Sequence, residues 1–311
     1  MDQRHGYILW YDSSTGEVQF WYMDGHRLVE RKTLVAEDGK AVSAGPPFSI
    51  AGTGDFDGDG TSDILWRNGC TGEMQIWSID GHRLADRRTV VAENGDVLLV
   101  GPPFTIAGAG DFDGDGNSDI LLCNRCTGEM QLCSMDGHRV VDRRAVVAED
   151  GKAVLIGPPT EIVGVADFSG NGRADILCHN SSTGETQIWS MDGHRLMHRD
   201  TVVRYNGNAV FICSPHTIMA AADFDGNGSA DIVWYDSFTG QADVWYMDRN
   251  FVLGRGIVLG LDSTIAFMGP PLSIVGAGMS LKHEAANAGY VAGAGRIGIR
   301  PAAQASFESK M

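Results

Sequence analysis

The chain has 311 residues, 43% of them hydrophobic and 21% charged, too apolar for a disordered segment and long enough for one large domain or two ordinary ones. Asp and Glu outnumber Lys and Arg by 40 to 24, a net charge of −16, which lacks the basic footprint a nucleic-acid partner needs. No run of about 18 apolar residues is present, so no membrane insertion is expected.

The start, Met1-Asp-Gln-Arg-His, has no basic-then-apolar signal peptide. Three strand-like runs follow, beginning at Ile8. Ser49-Ile-Ala-Gly-Thr-Gly is a short run of small and β-branched residues, and an acidic loop separates it from Asp63-Ile-Leu-Trp. A turn at Cys70-Thr-Gly leads into Glu73-Met-Gln-Ile-Trp-Ser-Ile. Asp80-Gly is a hairpin dipeptide, and Arg83 to Ala92 reads as a fourth strand. A turn at Glu93-Asn-Gly-Asp and a Gly-Pro-Pro phrase then precede a repetition of the same order.

The repetition is regular. Gly54-Asp-Phe-Asp-Gly-Asp-Gly returns at Gly110, as Ala166-Asp-Phe-Ser-Gly-Asn-Gly, and as Ala222-Asp-Phe-Asp-Gly-Asn-Gly. Its first Asp falls at 55, 111, 167 and 223, a period of 56. Asp-Gly-His-Arg falls at 24, 80, 136 and 192; Gly-Pro-Pro falls at 45, 101, 157 and 269, with Cys213-Ser-Pro in the remaining slot. Four strands in about 40–60 residues is the pattern of a β-propeller blade. First strands begin at Ser49, Thr105, Glu161, Thr217 and Ser273. Second strands begin at Ile8, Ile64, Ile120, Ile176 and Ile232. The frame predicts one all-β domain over residues 1–279, a five-bladed propeller. Its C-terminal strand pairs with the N-terminal three and closes the ring, removing two exposed edges. A piece of a longer propeller, or a ring completed by a second chain, is the alternative. Residues 280–311 leave the pattern as an Ala/Gly-rich tail.

The loop between strands one and two carries carboxylates at positions 1, 3, 5 and 9, with Gly at 6 for the sharp turn and a backbone carbonyl at 7. This all-oxygen ligand set is the one Ca²⁺ favours. In the first loop it comprises Asp55, Asp57, Asp59, Thr61 and Asp63, and in the second Asp111, Asp113, Asp115, Asn117 and Asp119. The fourth has Asp223, Asp225, Asn227, Ser229 and Asp231. The third is reduced to Asp167, Ser169, Asn171, Arg173 and Asp175. Up to four Ca²⁺ ions are expected, the third loop binding weakest. A turn that holds no metal is the alternative to each.

The phrase Asp-Phe-Asp-Gly-Asp-Gly-x-x-Asp-Ile-Leu-Trp, followed by Thr-Gly-Glu and a Trp-bearing strand, resembles the FG-GAP/VCBS-type repeats. These occur in integrin α-subunits, in lectins and in many secreted bacterial proteins. The resemblance covers about 270 residues and implies a propeller with Ca²⁺ in the strand one–two loops. It fixes no function, because such folds host adhesion, sugar binding and scaffolding.

All seven tryptophans lie in two repeat slots: Trp10, Trp66 and Trp234 on second strands, and Trp21, Trp77, Trp189 and Trp245 on third strands. They either pack between blades or stack on sugar rings. Leu122, Cys133 and Cys178 stand in tryptophan slots. His26, His82, His138 and His194 follow Asp-Gly and read as turn residues. The six cysteines form no visible disulfide framework, and Cys123-Asn-Arg-Cys126 bridges a strand and a turn rather than opening a helix. No catalytic motif stands out, and Glu17, Glu73, Glu129 and Glu185 recur where a catalytic acid would be unique. The expected function is a non-enzymatic, lectin-like, calcium-stabilised binding module, a monomer whose partners are glycans. A scaffold for a cell-surface protein is the alternative, and an enzyme the remote one. Millimolar calcium places it outside the cell or at its surface, although the missing signal peptide and the unpaired cysteines point the other way.

Overall fold

Each unit buries its apolar residues by facing two neighbours at once. The computed structural model describes residues 5–262, 264 and 272–280. The expected tail after Ser280 and the Gly269-Pro-Pro phrase lie outside them. Blade 1 is β1 (His5–Asp12), β2 (Val18–Asp24) and β3 (Arg27–Thr33). Blade 2 is β4 (Phe48–Gly54), β5 (Asp63–Asn68), β6 (Met74–Asp80) and β7 (Arg83–Thr89). Blade 3 is β8 (Phe104–Gly110), β9 (Asp119–Asn124), β10 (Met130–Asp136) and β11 (Arg139–Ala145), followed by the short β12 (Val147–Ala148). Blade 4 is β13 (Thr160–Ala166), β14 (Asp175–Asn180), β15 (Thr186–Asp192) and β16 (Arg195–Thr201), followed by β17 (Val203–Arg204). Blade 5 is β18 (His216–Ala222), β19 (Asp231–Asp236), β20 (Gln241–Asp248) and β21 (Phe251–Ile257). The last strand, β22 (Leu272–Ser280), joins blade 1, in the sheet order β22-β1-β2-β3.

The described residues form an all-β, five-bladed propeller. β22 runs antiparallel to β1, from Leu272 opposite Asp12 to Ser280 opposite His5. It also neighbours both β18 and β4, so the five inner strands form a closed ring. These strands are built of small residues because they crowd round the axis. A β-carbon added at Gly108 would stand 2.5 Å from Val165 Cγ2, and one at Gly110 would stand 2.8 Å from Ala174 Cβ.

Strand alternation assigns each second strand to two interfaces. Ile64 and Trp66 face blade 1, whereas Leu65 faces blade 3. The buried apolar residues accordingly form five clusters, one between each pair of adjacent blades. Trp66 is fully buried and packs against Trp77, ring centroids 4.7 Å apart. Trp66→Ala is expected to cost about 3–5 kcal/mol of stability, the usual loss for a buried aromatic truncated to alanine, read from urea unfolding at constant slope.

An outer ring also links the blades. The segment after each fourth strand crosses to the next blade's strand three–four turn. Val35 N–H donates to His82 O at 3.0 Å, and Leu84 N–H to Val35 O at 2.8 Å. The pattern repeats at Val91, Val147 and Val203, and Leu28 N–H donates to Leu259 O across the closing seam. His82, His138, His194 and Asn250 therefore work through their backbone carbonyls, whereas the His26 imidazole contacts the Tyr246 hydroxyl. The fourth strand of blade 2 ends at Thr89 and not at Ala92, because Val91 pairs with blade 3 instead of its own sheet.

Candidate functional site

The strand one–two loops lie on the same face as the strand three–four turns. In the first loop Asp55 turns the chain round its own carboxylate, which accepts N–H bonds from Gly58 at 2.8 Å, Asp59 at 3.1 Å and Gly60 at 2.7 Å. Gly60 sits at φ 86°, a left-handed conformation that side chains disfavour. Asp59 Oδ1 accepts from Thr61 N–H at 2.7 Å, and Asp115, Asn171 and Asn227 do the same in their loops. Asp63, 1% exposed, ties the loop down by accepting from Phe56 N–H at 3.1 Å and Ile79 N–H at 3.0 Å. Asp119, Asp175 and Asp231 repeat that anchorage on Met135, Met191 and Met247.

In three loops the carboxylates converge. One oxygen from each of Asp55, Asp57 and Asp63 lies within 4.8 Å of the others; the same holds for Asp111, Asp113 and Asp115, and for Asp223, Asp225 and Asp231. Two oxygens on opposite sides of a Ca²⁺ ion stand about 4.6–5.2 Å apart, so these groups have the span to share one cation. Burial pushes the Asp63 carboxyl up to about 8, with Asp57 and Asp55 adding to the shift against the Ile79 N–H. Burial likewise takes Asp231 to about 8 and Asp119 to about 7. Each cluster gathers carboxylates in a half-buried site, where a divalent cation would offset their mutual repulsion. Thr61 Oγ1 in the first loop is buried without a hydrogen-bond partner. The donor set therefore fits a hard cation. Asp59 and Asp119 stand outside their loops' converging trios.

The third loop does not fit. Ser169 Oγ donates inward to Asp167 Oδ1 at 3.3 Å, and Asp175 accepts from Ser169 N–H. Arg173 brings a guanidinium to the loop and pairs with Asp192. With fewer neighbouring carboxylates, burial raises Asp175 only to about 6.

The tryptophans are in the packing. Six of the seven are at most 4% exposed, and Trp245 is half-buried. Trp10 lies 4.3 Å from Trp21, and Trp234 lies 4.6 Å from Trp245. Arg31, Arg87 and Arg199 cover the outer rings of Trp21, Trp77 and Trp189 at 3.9–4.4 Å. Gln19, Gln75 and Gln187 accept the indole N–H groups. The repeated Glu17, Glu73 and Glu185 accept in turn from those glutamines. Rings enclosed in this way have no face for a sugar, and the burial of Cys133 and Cys178 in tryptophan slots follows the same packing logic.

Space for a ligand is found instead between blades on the acidic face. A cleft of about 610 Å³ separates the third loop from the blade 5 turn; Arg173, Asp192, Asp200, Arg249, Asn250 and Phe251 line it. The equivalent cleft between blades 2 and 3 is about 210 Å³. Arg249 has φ 55°, the only non-glycine at positive φ among the described residues. It occupies the position held by Gly25, Gly81, Gly137 and Gly193 elsewhere, all at φ 55–63°. Arg249→Gly is expected to stabilise the fold by about 0.5–1 kcal/mol, a rise of about 1–4 °C in melting temperature, because it relieves a left-handed side chain.

On the opposite face Leu99, Leu155 and Phe211 stand 59%, 58% and 62% exposed in one repeat slot. A smaller cavity of about 260 Å³ lies there between blades 3 and 4, beside Cys123 and Arg125.

The fold and these loops define a five-bladed β-propeller with cation-type acidic loops on one face. No family model and no curated protein matches the sequence. Among solved structures the chain is similar to a protein of unknown function from Bacteroides caccae, with 11% identity, 89% of this chain and 98% of that one covered, and a TM-score of 0.42. It is similar too to an Agrocybe aegerita lectin that recognises non-reducing terminal N-acetylglucosamine, with 15% identity, coverage of 82% and 80%, and a TM-score of 0.41. A luciferin-regenerating enzyme gives 10% identity, coverage of 88% and 78%, and a TM-score of 0.42. At these identities the likenesses carry nothing about ligand or reaction.

Proposed function

We propose that this chain is a calcium-stiffened, FG-GAP/VCBS-like binding propeller that takes carbohydrate in the clefts between blades on its acidic face. The observation behind this reading is the cleft between blades 4 and 5. It sets the exposed ring of Phe251 beside two amides, three carboxylates and two guanidinia. An apolar platform ringed by hydrogen-bonding forks is what a sugar ring, apolar on its faces and polar at its edge, requires. Calcium in the first, second and fourth loops holds the walls of the clefts. Repeated shallow clefts on one rigid ring suit a multivalent glycan surface, where weak sites gain avidity. A calcium requirement suits an extracellular setting, where the ion is millimolar.

A glycan array in millimolar calcium tests the proposal. Selective binding to one sugar class supports it; a blank array with folded protein overturns it. A second reading rests on a different observation. The repeated exposed Leu99, Leu155 and Phe211 form an apolar arc on the opposite face, the kind of surface that a protein partner covers. On that reading the chain is an adhesion scaffold, and substituting the arc abolishes partner binding while leaving glycan binding intact.

A further inference from the structure

On the acidic face the repeat is broken twice in one cleft, and both changes add positive charge. The blade 5 turn reads Asp248-Arg249-Asn250-Phe251 where the others read Asp-Gly-His-Arg. The third loop carries Arg173 where the others carry Thr61, Asn117 and Ser229. The loop of blade 4 and the turn of blade 5 are opposite walls of the same cleft, so both guanidinia line one space. The matching cleft between blades 2 and 3 has Asp57 and Asp86 against the single cation Arg88. In a chain of net charge −16, the two arginines stand among the cleft's three carboxylates, Asp175, Asp192 and Asp200.

Arg249 keeps the backbone of a glycine turn at φ 55°, a conformation retained at a cost and therefore held by its surroundings. It makes no ion pair among the described residues, whereas Arg173 is occupied by Asp192. One planar fork is left open. Beside it, Phe251 is 39% exposed, and Asp192 and Asp200 supply acceptors for hydroxyl groups.

We infer that the cleft between blades 4 and 5 binds a sugar residue bearing a carboxylate, with Arg249 holding the carboxylate and Phe251 supporting the ring. The inference rests on the carbohydrate reading above and names the ligand class for one cleft. A planar carboxylate matches a guanidinium in paired hydrogen bonds. Asp192 and Asp200 would repel a more highly charged group, which disfavours a phosphate monoester. The matching cleft between blades 2 and 3 lacks an open fork, because Arg88 is paired with Asp86.

Isothermal titration with a glucuronate-terminated oligosaccharide and its glucose-terminated counterpart, in the same calcium buffer, tests this. The acidic sugar is expected to bind at least about tenfold more tightly, the effect of one charged hydrogen-bonded pair. Arg249→Gly is expected to erase that preference while melting no lower than the parent, which separates lost binding from lost folding. Equal binding of the two sugars, or an acidic preference that survives Arg249→Gly, overturns the carboxylate site and leaves the carbohydrate reading standing. A preference for a sulfate-terminated oligosaccharide over the glucuronate one overturns it as well. Binding of no oligosaccharide overturns both.

Discussion

Stripping divalent cations from the folded chain is expected to lower its melting temperature by on the order of 20 °C, and millimolar calcium to restore it. A site held a hundredfold above its dissociation constant adds about 2.7 kcal/mol, so three give about 8. Each kcal/mol moves a chain of this size by about 2–4 °C. The pH dependence has opposite signs with and without metal. Burial holds Asp63 and Asp231 at about 8 and Asp119 at about 7 in the metal-free fold, whereas the unfolded chain loses these protons near pH 4. A raised folded value is stabilising below the unfolded pKa and is lost as pH rises through the folded one. Metal-free protein is therefore expected to melt lower at pH 8 than at pH 5. Calcium displaces the same protons, so its contribution grows across that window. Magnesium, smaller and stricter in geometry, is expected to restore less. A melting temperature indifferent to both calcium and pH sinks the metal assignment for these loops.

The frame of the 56-residue repeat was enough to read the fold. Counting first and second strands separately exposes the offset that makes β22 complete blade 1, and strand pairing shows that closure. The outer ring of inter-blade bonds stayed hidden for a local reason. Val91 continues the apolar run of the fourth strand in sequence, and only the tertiary arrangement turns it to the next blade. Its recurrence as Val35, Val147 and Val203 was the available signal. For the loops, carboxylate spacing located the clusters, but it does not register that Arg173, at the backbone-carbonyl position of the third loop, brings a guanidinium that pairs with Asp192. The tryptophans were legible as a repeat and ambiguous as chemistry, because a buried ring and a sugar platform have the same sequence. The cleft residues were legible least: Arg249 stands out only as a missing glycine in Asp-Gly-His-Arg, and its conformation needed the structure.

Ending the chain at residue 271 is expected to abolish the monomeric fold, because β22 holds the ring shut twice. It is the inner strand of blade 1, bonded along β1 from Asp12 to His5, and it separates β18 from β4 around the axis. Without it β1 becomes an exposed edge whose N–H and C=O groups template pairing with another chain. The apolar face between blades 1 and 5, including Ile8 and Trp10, loses the strand beside it. The bonds from Leu28 N–H to Leu259 O and from Gly25 N–H to Phe224 O remain, but each contributes only about 1 kcal/mol. The deficit exceeds about 5 kcal/mol, comparable with the whole stability of an ordinary domain. Size-exclusion chromatography is expected to show oligomers or aggregate for the chain ending at 271, and a monomer for the chain ending at Ser280. A synthetic peptide of residues 272–280, added to the shorter chain during refolding, is expected to return the monomer, since the ladder it completes is an intermolecular one in all but connectivity. A shorter chain that stays monomeric and melts with the longer one would show that the inner ring does not depend on β22.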